Sequence, residues 1–215
     1  MSSNYSRTTA VRTFAGELAA ATTSTRFSED EKAPTFQILP SGTAAHRVFI
    51  VGTVTEVNDV GDGSEYWRAR VVDPNGDTFY VFAGQYQPEA ASVLRELEAP
   101  AYVSVVGKTD TFEGDDGETF VSLTAEEVAQ TDQRTHDRWV VETAERTLDR
   151  IEAGQAGEQA PDIDREVDEL LFEQATAEYG AEAAEEAREA ALEAVATLTD
   201  DVKSEGGKAA SAAAD

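Results

Sequence analysis

The chain has 215 residues, no cysteine, and 43 Asp and Glu against 17 Lys and Arg, for a formal net charge of −26. That length suffices for one ordinary core with residues left over for appendages, and the absence of thiols excludes disulfides, thiolate metal sites and a cysteine nucleophile together. With no run of about 18 apolar residues and no apolar stretch in the opening MSSNYSRTT, neither a membrane span nor a signal peptide is expected, and the location expected is cytoplasmic.

Charge is unevenly spread. Residues 1–45 are neutral, 46–130 carry −11, 131–150 carry −1 and 151–215 carry −14. Among the cations only Lys32, Lys108, Lys203 and Lys208 are lysines. Many carboxylates with few lysines suit a protein working in concentrated salt, where self-repulsion is screened and net charge preserves solubility, so a halophilic source is expected.

In chain order, residues 1–45 read as one short amphipathic helix on Val11, Phe14 and Leu18, followed by a connecting loop with an extended piece at 36–39. From residue 46 the period changes. RVFIVGTVTEV, residues 47–57, is a β-branched strand in which Gly52 marks a bulge or sharp bend. The segment EYWRARVVDPNGDTFYVFAG, residues 65–84, reads as a hairpin turned at Asp73, Pro74, Asn75 and Gly76, since Pro presets φ and Asn-Gly accepts positive φ. In its first strand Trp67, Ala69 and Val71 alternate with Arg68 and Arg70, giving an apolar and a cationic face. In its second, Phe79 and Val81 alternate with Tyr80 and Phe82, and because both sets are apolar the inward pair is not fixed by pattern.

A helix is expected over 89–97, opened by Pro88 and followed by Pro100; then come a strand at 101–108, a continuation through Phe112, the turn containing Asp115 and Asp116, and a further strand at 118–123. Three strands, a helix and two strands is the order of a five-stranded OB-fold barrel over 46–130, flanked by the N-terminal helix and C-terminal helices in a mainly β protein. Residues 131–153 predict a helix, 154–161 a Gly-containing linker, 162–200 an acidic helical appendage on Ile163, Val167, Leu170, Leu171, Leu192, Val195 and Leu198, and 201–215 a disordered tail. The apolar stripe of 132–151 either packs back on the barrel or meets another chain.

No enzymatic chemistry is indicated. Phosphate-binding loops, GxGxxG, HExxH and GxSxG are absent, His46 and His136 have no neighbouring nucleophile, and the pairs Asp59 with Asp62 and Asp115 with Asp116 lack the spacing of a calcium loop. No metal or other cofactor is expected. The binding reading rests on Trp67, Arg68, Arg70, Tyr80, Phe82, Tyr86, Lys108 and Phe112, which combine rings that stack on bases with cations that hold phosphates.

At RVFIVGTVTEV, VVDPNGDTFYVFAGQYQPEA, PAYVSVVGK and RWVVETAERTLDRI the chain resembles the haloarchaeal replication-protein-A-associated proteins, over roughly residues 7–153. These are OB-fold partners of archaeal replication protein A, similar in layout to the middle subunit of the eukaryotic complex. The resemblance implies a subunit of a single-stranded-DNA-binding complex in replication and repair, with a larger replication-protein-A subunit as partner. It also implies that Trp139, Val140, Ala144, Leu148 and Ile151 form an assembly face. The alternative within this reading is an architectural adaptor that assembles the complex without touching DNA.

Overall fold

A computed structural model describes residues 8–30, 33–114, 117–158 and 171–212. The expectations for Asp115 and Asp116, for Ile163, Val167 and Leu170, and for 213–215 lie outside these residues. The elements run α1 (Ala15–Ala20), β1 (Ser24–Thr25), β2 (Phe36–Leu39), β3 (Thr43–Ala45), β4 (Arg47–Asp59), β5 (Tyr66–Val72), β6 (Thr78–Gly84), α2 (Pro88–Glu96), β7 (Ala101–Glu113), β8 (Thr119–Gln130), α3 (Gln133–Ala156), α4 (Leu171–Tyr179) and α5 (Ala181–Ala212).

Strands β4 to β8 close into a barrel in the order β4-β5-β6-β8-β7, and β1 to β3 form a separate small antiparallel sheet. The barrel closes because β4 is long enough to pair twice: Arg47 to Val54 lie against β7, and Thr53 to Asp59 against β5. Its one parallel contact joins Val81 and Phe82 of β6 to Leu123 and Thr124 of β8. A five-stranded closed barrel of this order, with a helix between its third and fourth strands, is the OB-fold.

Inward residues of all five strands fill the barrel, among them Ile50, Val71, Val81, Val105 and Leu123, and α2 closes one end with Ala90 and Leu94. Of the bulge or sharp bend expected at Gly52, no register shift falls at that residue. Its Cα lies so close to the end of β5 that a Cβ would sit 2.6 Å from the Val72 carbonyl oxygen, so the glycine permits a close backbone approach. The pairing shifts instead between Val54 and Glu56.

The N-terminal stripe is split between two structures. Val11 forms a parallel bridge to Val48, exchanging hydrogen bonds with Arg47 and Phe49, so the helix begins only after Phe14. Phe14 and Leu18 are buried, and the Phe14 ring meets Trp139 edge-on at 5.6 Å. Trp139 in turn donates from Nε1 to the Phe49 carbonyl at 3.0 Å, pinning α3 to β4.

Helix α3 begins at a cap in which Asp132 accepts from the Thr135 N–H at 2.8 Å, and it ends at Gly157 in the left-handed region. It therefore runs through Gly154, where a linker is expected. The ring of Phe172 from α4 lies 2.3 Å from where a Gly154 Cβ would be and 2.6 Å from where one would be at Gly42, so both glycines serve as the slot for that ring. Tyr179 at the end of α4 accepts from the Thr23 N–H at 3.0 Å and donates to the Ile38 carbonyl at 2.9 Å.

Helix α5 packs along α3 through the buried stripe Ala184, Ala187, Ala191 and Ala194. Small side chains at this spacing let the two helices approach closely, while Leu171, Phe172, Val195 and Leu198 supply the larger apolar contacts of the C-terminal part. Residues 201–212, expected to be disordered, continue α5. Among the described residues no helix is long and apolar enough to cross a membrane.

These contacts cover the expected assembly face within the chain. Trp139, Val140, Ala144 and Ile151 are buried within the chain and Leu148 is half-buried, because α1, the barrel and the C-terminal helices cover them. Arg150, on the same helix, is buried as well. It donates from Nε to Ser41 Oγ at 2.9 Å and stands 3.6 Å from the Glu17 carboxylate, which also accepts from Thr13 Oγ1 and the Ser41 N–H.

The hairpin turn is tied to the same region. Asp73 accepts from the backbone N–H groups of Asn75 and Asp77 within the turn and from that of Ala15 at the start of α1 at 2.9 Å. Burial outweighs these donors and, with Asp77 nearby, pushes its carboxyl up to about 6. The folded state thus binds the proton more tightly than the unfolded chain, and this contribution to stability is full below the ordinary carboxylate range near 4 and is lost as pH rises through about 6. The unfolding free-energy difference between the wild type and Asp73→Asn, measured by denaturant titration at fixed salt, is expected to fall over that window and to stay flat above it. A difference that rises there contradicts the assignment.

Candidate nucleic-acid interface

The outer face of β4, β5 and β6 is organised as rungs across three strands. Arg70 pairs with Glu56 on one side and Tyr80 on the other; Arg68 pairs with Asn58 and Phe82. The shift between Val54 and Glu56 sets this phase. It adds one residue to β4, so Glu56 and Asn58 face outward opposite the arginines while Val57 turns toward the core. The register of β6, open in the sequence pattern, is resolved by burial: Phe79 and Val81 are inside, Tyr80 is 43% exposed and Phe82 half-buried.

Glu56, Asn58, Arg68, Arg70 and Tyr80 line a shallow cavity of about 120 Å³. Asn58 donates to Glu56 Oε1, and Arg68 Nη2 approaches the same oxygen at 3.9 Å. Arg70 is steadied by Nε donating to Thr78 Oγ1 at 3.2 Å.

A third rung extends the face. Tyr66 pairs with Gly84, and its ring stacks on Phe82 with centroids 5.5 Å apart at 19°. Gly84 makes room, since a Cβ there would lie 2.8 Å from Tyr66 Cδ2. The loop before Tyr66 is closed by Asp59, whose Oδ1 accepts from the N–H groups of Tyr66 at 3.1 Å and Gly61 at 3.0 Å. Those two donors hold the Asp59 carboxyl below its ordinary range. Burial, with Asp110 adding to it, raises the Tyr66 phenol, which stays protonated and neutral at neutral pH. Tyr66 and Tyr86 both line a cleft of about 300 Å³ between this loop and the start of α2, and Tyr86 is 84% exposed.

The remaining candidates lie apart. Trp67 points to the inner side with Ala69 and Val71, where it packs against the core, so it is not a free stacking platform. Lys108 lies beyond Thr124, two strands from Phe82, and pairs with Glu126 at 3.4 Å. The hydrogen bond from Arg47, which shares that carboxylate, lowers the Glu126 carboxyl first, and the nearby Lys108 adds to the effect. Phe112 sits near the end of the β7–β8 hairpin, stacked on Phe120 across the strand pair at 5.3 Å.

Tyr66, Glu56, Asn58 and Phe120 were not singled out from sequence. Tyr66 shares the odd-even phase of Arg68 and Arg70, a signal present in the sequence, whereas the placement of the other three depends on the register of a second strand. His46 has its ring nitrogen 2.8 Å from the Thr35 carbonyl, and burial lowers its pKa; His136 packs its ring 5.0 Å from that of Tyr102.

No protein-family model matches the chain, and no curated protein sequence does. Among solved structures the chain is similar to the S. pombe Stn1–Ten1 complex, with TM-score 0.48, 16% identity, and coverage of 54% of this chain and 81% of that one. It is also similar to the second single-stranded DNA binding protein of Mycobacterium smegmatis, SSBb, at TM-score 0.35 and 23% identity over 41% of this chain and 88% of that one. The S. cerevisiae mitochondrial single-stranded DNA binding protein Rim1 gives 0.32 and 19% over 40% and 94%. The strand order β4-β5-β6-β8-β7 is by itself that of the OB-fold.

Gly84→Ala is expected to push the Tyr66 ring off Phe82 while the barrel stays folded. In NMR spectra this is read as loss of the ring-current shift between the two rings with the methyl resonances of Val71 and Val81 unmoved; unchanged Tyr66 ring shifts contradict the stated role of Gly84.

Proposed function

We propose that this chain is a non-enzymatic subunit of a replication-protein-A-like complex that holds single-stranded DNA during replication and repair, together with a larger partner subunit. The observation that carries the reading is the register that sets Tyr80 and Phe82 on the same outer face as Arg68 and Arg70, with Tyr66 stacked at its end. Rings of this kind accept bases of any sequence at about 1–3 kcal/mol per base, and the arginines between them suit the phosphates that connect those bases.

The net charge of −26 opposes a polyanion. In the concentrated salt that the composition suits, screening over about 3 Å removes most of that repulsion and also most of the gain from counterion release. Stacking then supplies most of the affinity. The resemblance over residues 7–153 supports the partner subunit, and because α3 is covered within the chain, the partner contact lies outside the buried face of that helix. The carboxylate of Glu56 on the face favours the adaptor reading, in which the rungs are surface ion pairs alone.

Fluorescence anisotropy with single-stranded DNA in about 2 M KCl, chosen to suppress long-range electrostatics, separates the two. The full chain is expected to bind, and Tyr80→Ala and Phe82→Ala are each expected to weaken binding by about 5- to 150-fold, the equivalent of one lost stack. Absence of binding by the chain, with no effect of either substitution on DNA binding by the reconstituted complex, overturns the proposal and leaves the adaptor.

A further inference from the structure

We infer that the cavity formed by Glu56, Asn58, Arg68, Arg70 and Tyr80 reads the Watson–Crick edge of guanine, so that the chain prefers guanine-containing single strands. This rests on the single-stranded-DNA reading of the same face and adds a base preference to it.

A face that only stacks bases and holds phosphates has no use for a carboxylate, which repels the backbone it is meant to bind. Yet the register shift in β4 aims Glu56 outward, onto the rung of Arg70 and Tyr80. An unshifted β4 would pair Thr55 with Arg70 and turn Glu56 toward the core. The carboxylate is held in place: Asn58 donates to Oε1, and Arg68 Nη2 lies 3.9 Å from that same atom. Oε2 has no such contact among the described residues, and an ionised carboxylate carries about four lone-pair sites in total.

The chemistry selects the base. A single-stranded base stacked on a tyrosine presents its Watson–Crick edge to neighbouring side chains. On that edge guanine alone offers two adjacent donors, N1–H and the N2 amino group, matched to the two oxygens of a carboxylate. Adenine and cytosine each offer one amino group beside an acceptor, and thymine one N–H between two acceptors. With Tyr80 as the stacking surface and Glu56 at its side, guanine makes two charge-assisted hydrogen bonds where the other bases make one and leave an acceptor facing negative charge. The two arginines remain for the flanking phosphates.

Anisotropy titrations of the full chain compare oligonucleotides of about 12 nucleotides in which thymidine alternates with deoxyguanosine, deoxyinosine, deoxyadenosine or thymidine. Inosine keeps the guanine ring system and N1–H but lacks the N2 amino group; adenine controls for the stronger stacking of purines. The wild type is expected to bind the guanine strand about tenfold more tightly than the inosine and adenine strands. In Glu56→Gln, whose amide places a donor against a donor, that preference is lost. Equal affinity of the wild type for guanine, inosine and adenine strands overturns the guanine assignment while the thymidine strand still reports DNA binding. So does a guanine preference that survives in Glu56→Gln. Failure to bind any strand overturns the underlying reading and this one with it.

Discussion

One extra residue in β4 sets what this barrel presents to its surroundings. Because side chains alternate along a strand, the register shift between Val54 and Glu56 inverts the phase of everything after it. Before the shift, Val54 faces inward opposite Val71; after it, Glu56 and Asn58 face outward opposite Arg70 and Arg68. The same strand closes the barrel through β7 in its first half, so its phase there is fixed by the core. The shift lets one strand satisfy the core on one side and build a polar, ring-bearing face on the other.

That face is supported from below and left open from above. Ala69, Val71, Phe79 and Val81 pack beneath it, fixing the height and angle of the outward residues. The turn between β5 and β6 is held by Asp73 to α1 and by Asn75, which donates to the Ala190 carbonyl of α5 at 3.1 Å. The helices therefore brace the hairpin at its turn, away from the rungs. Arg150 has a comparable supporting role, joining α3 to α1 and to the turn after β2 through buried polar contacts that would be costly to leave unmade.

Much of the barrel was legible in the sequence because its signals are local. The Asp-Pro-Asn-Gly turn, the alternation of Trp67, Ala69 and Val71 with Arg68 and Arg70, and the position of Pro88 each report their own backbone. The phase of β6 was not legible, since Phe79 with Val81 and Tyr80 with Phe82 satisfy the same pattern, and only pairing with β5 and β8 chooses between them. A bulge at Gly52 could not be told from close approach for a related reason: a glycine in a strand signals both. The α3 stripe is legible as apolar and leaves the barrel or another chain as its cover, but nothing in the pattern points to cover by α5. Alanines at 184, 187, 191 and 194 have little hydrophobic weight in a sequence, although small size is what allows α5 to lie close to α3. Phe172 and its two glycines, far apart along the chain, have no local signature.

The central claim is that the three rungs on β4, β5 and β6 form the DNA-binding face, and mapping the bound surface tests it without altering any residue. In an NMR titration of the full chain with a short single-stranded oligonucleotide at high salt, the backbone amides of residues 56–58, 66–70 and 80–84 are expected to shift together and to saturate at one stoichiometry. Shifts confined to the β4–β7 side of the barrel or to α3 and α5, or none at saturating DNA, would contradict the account.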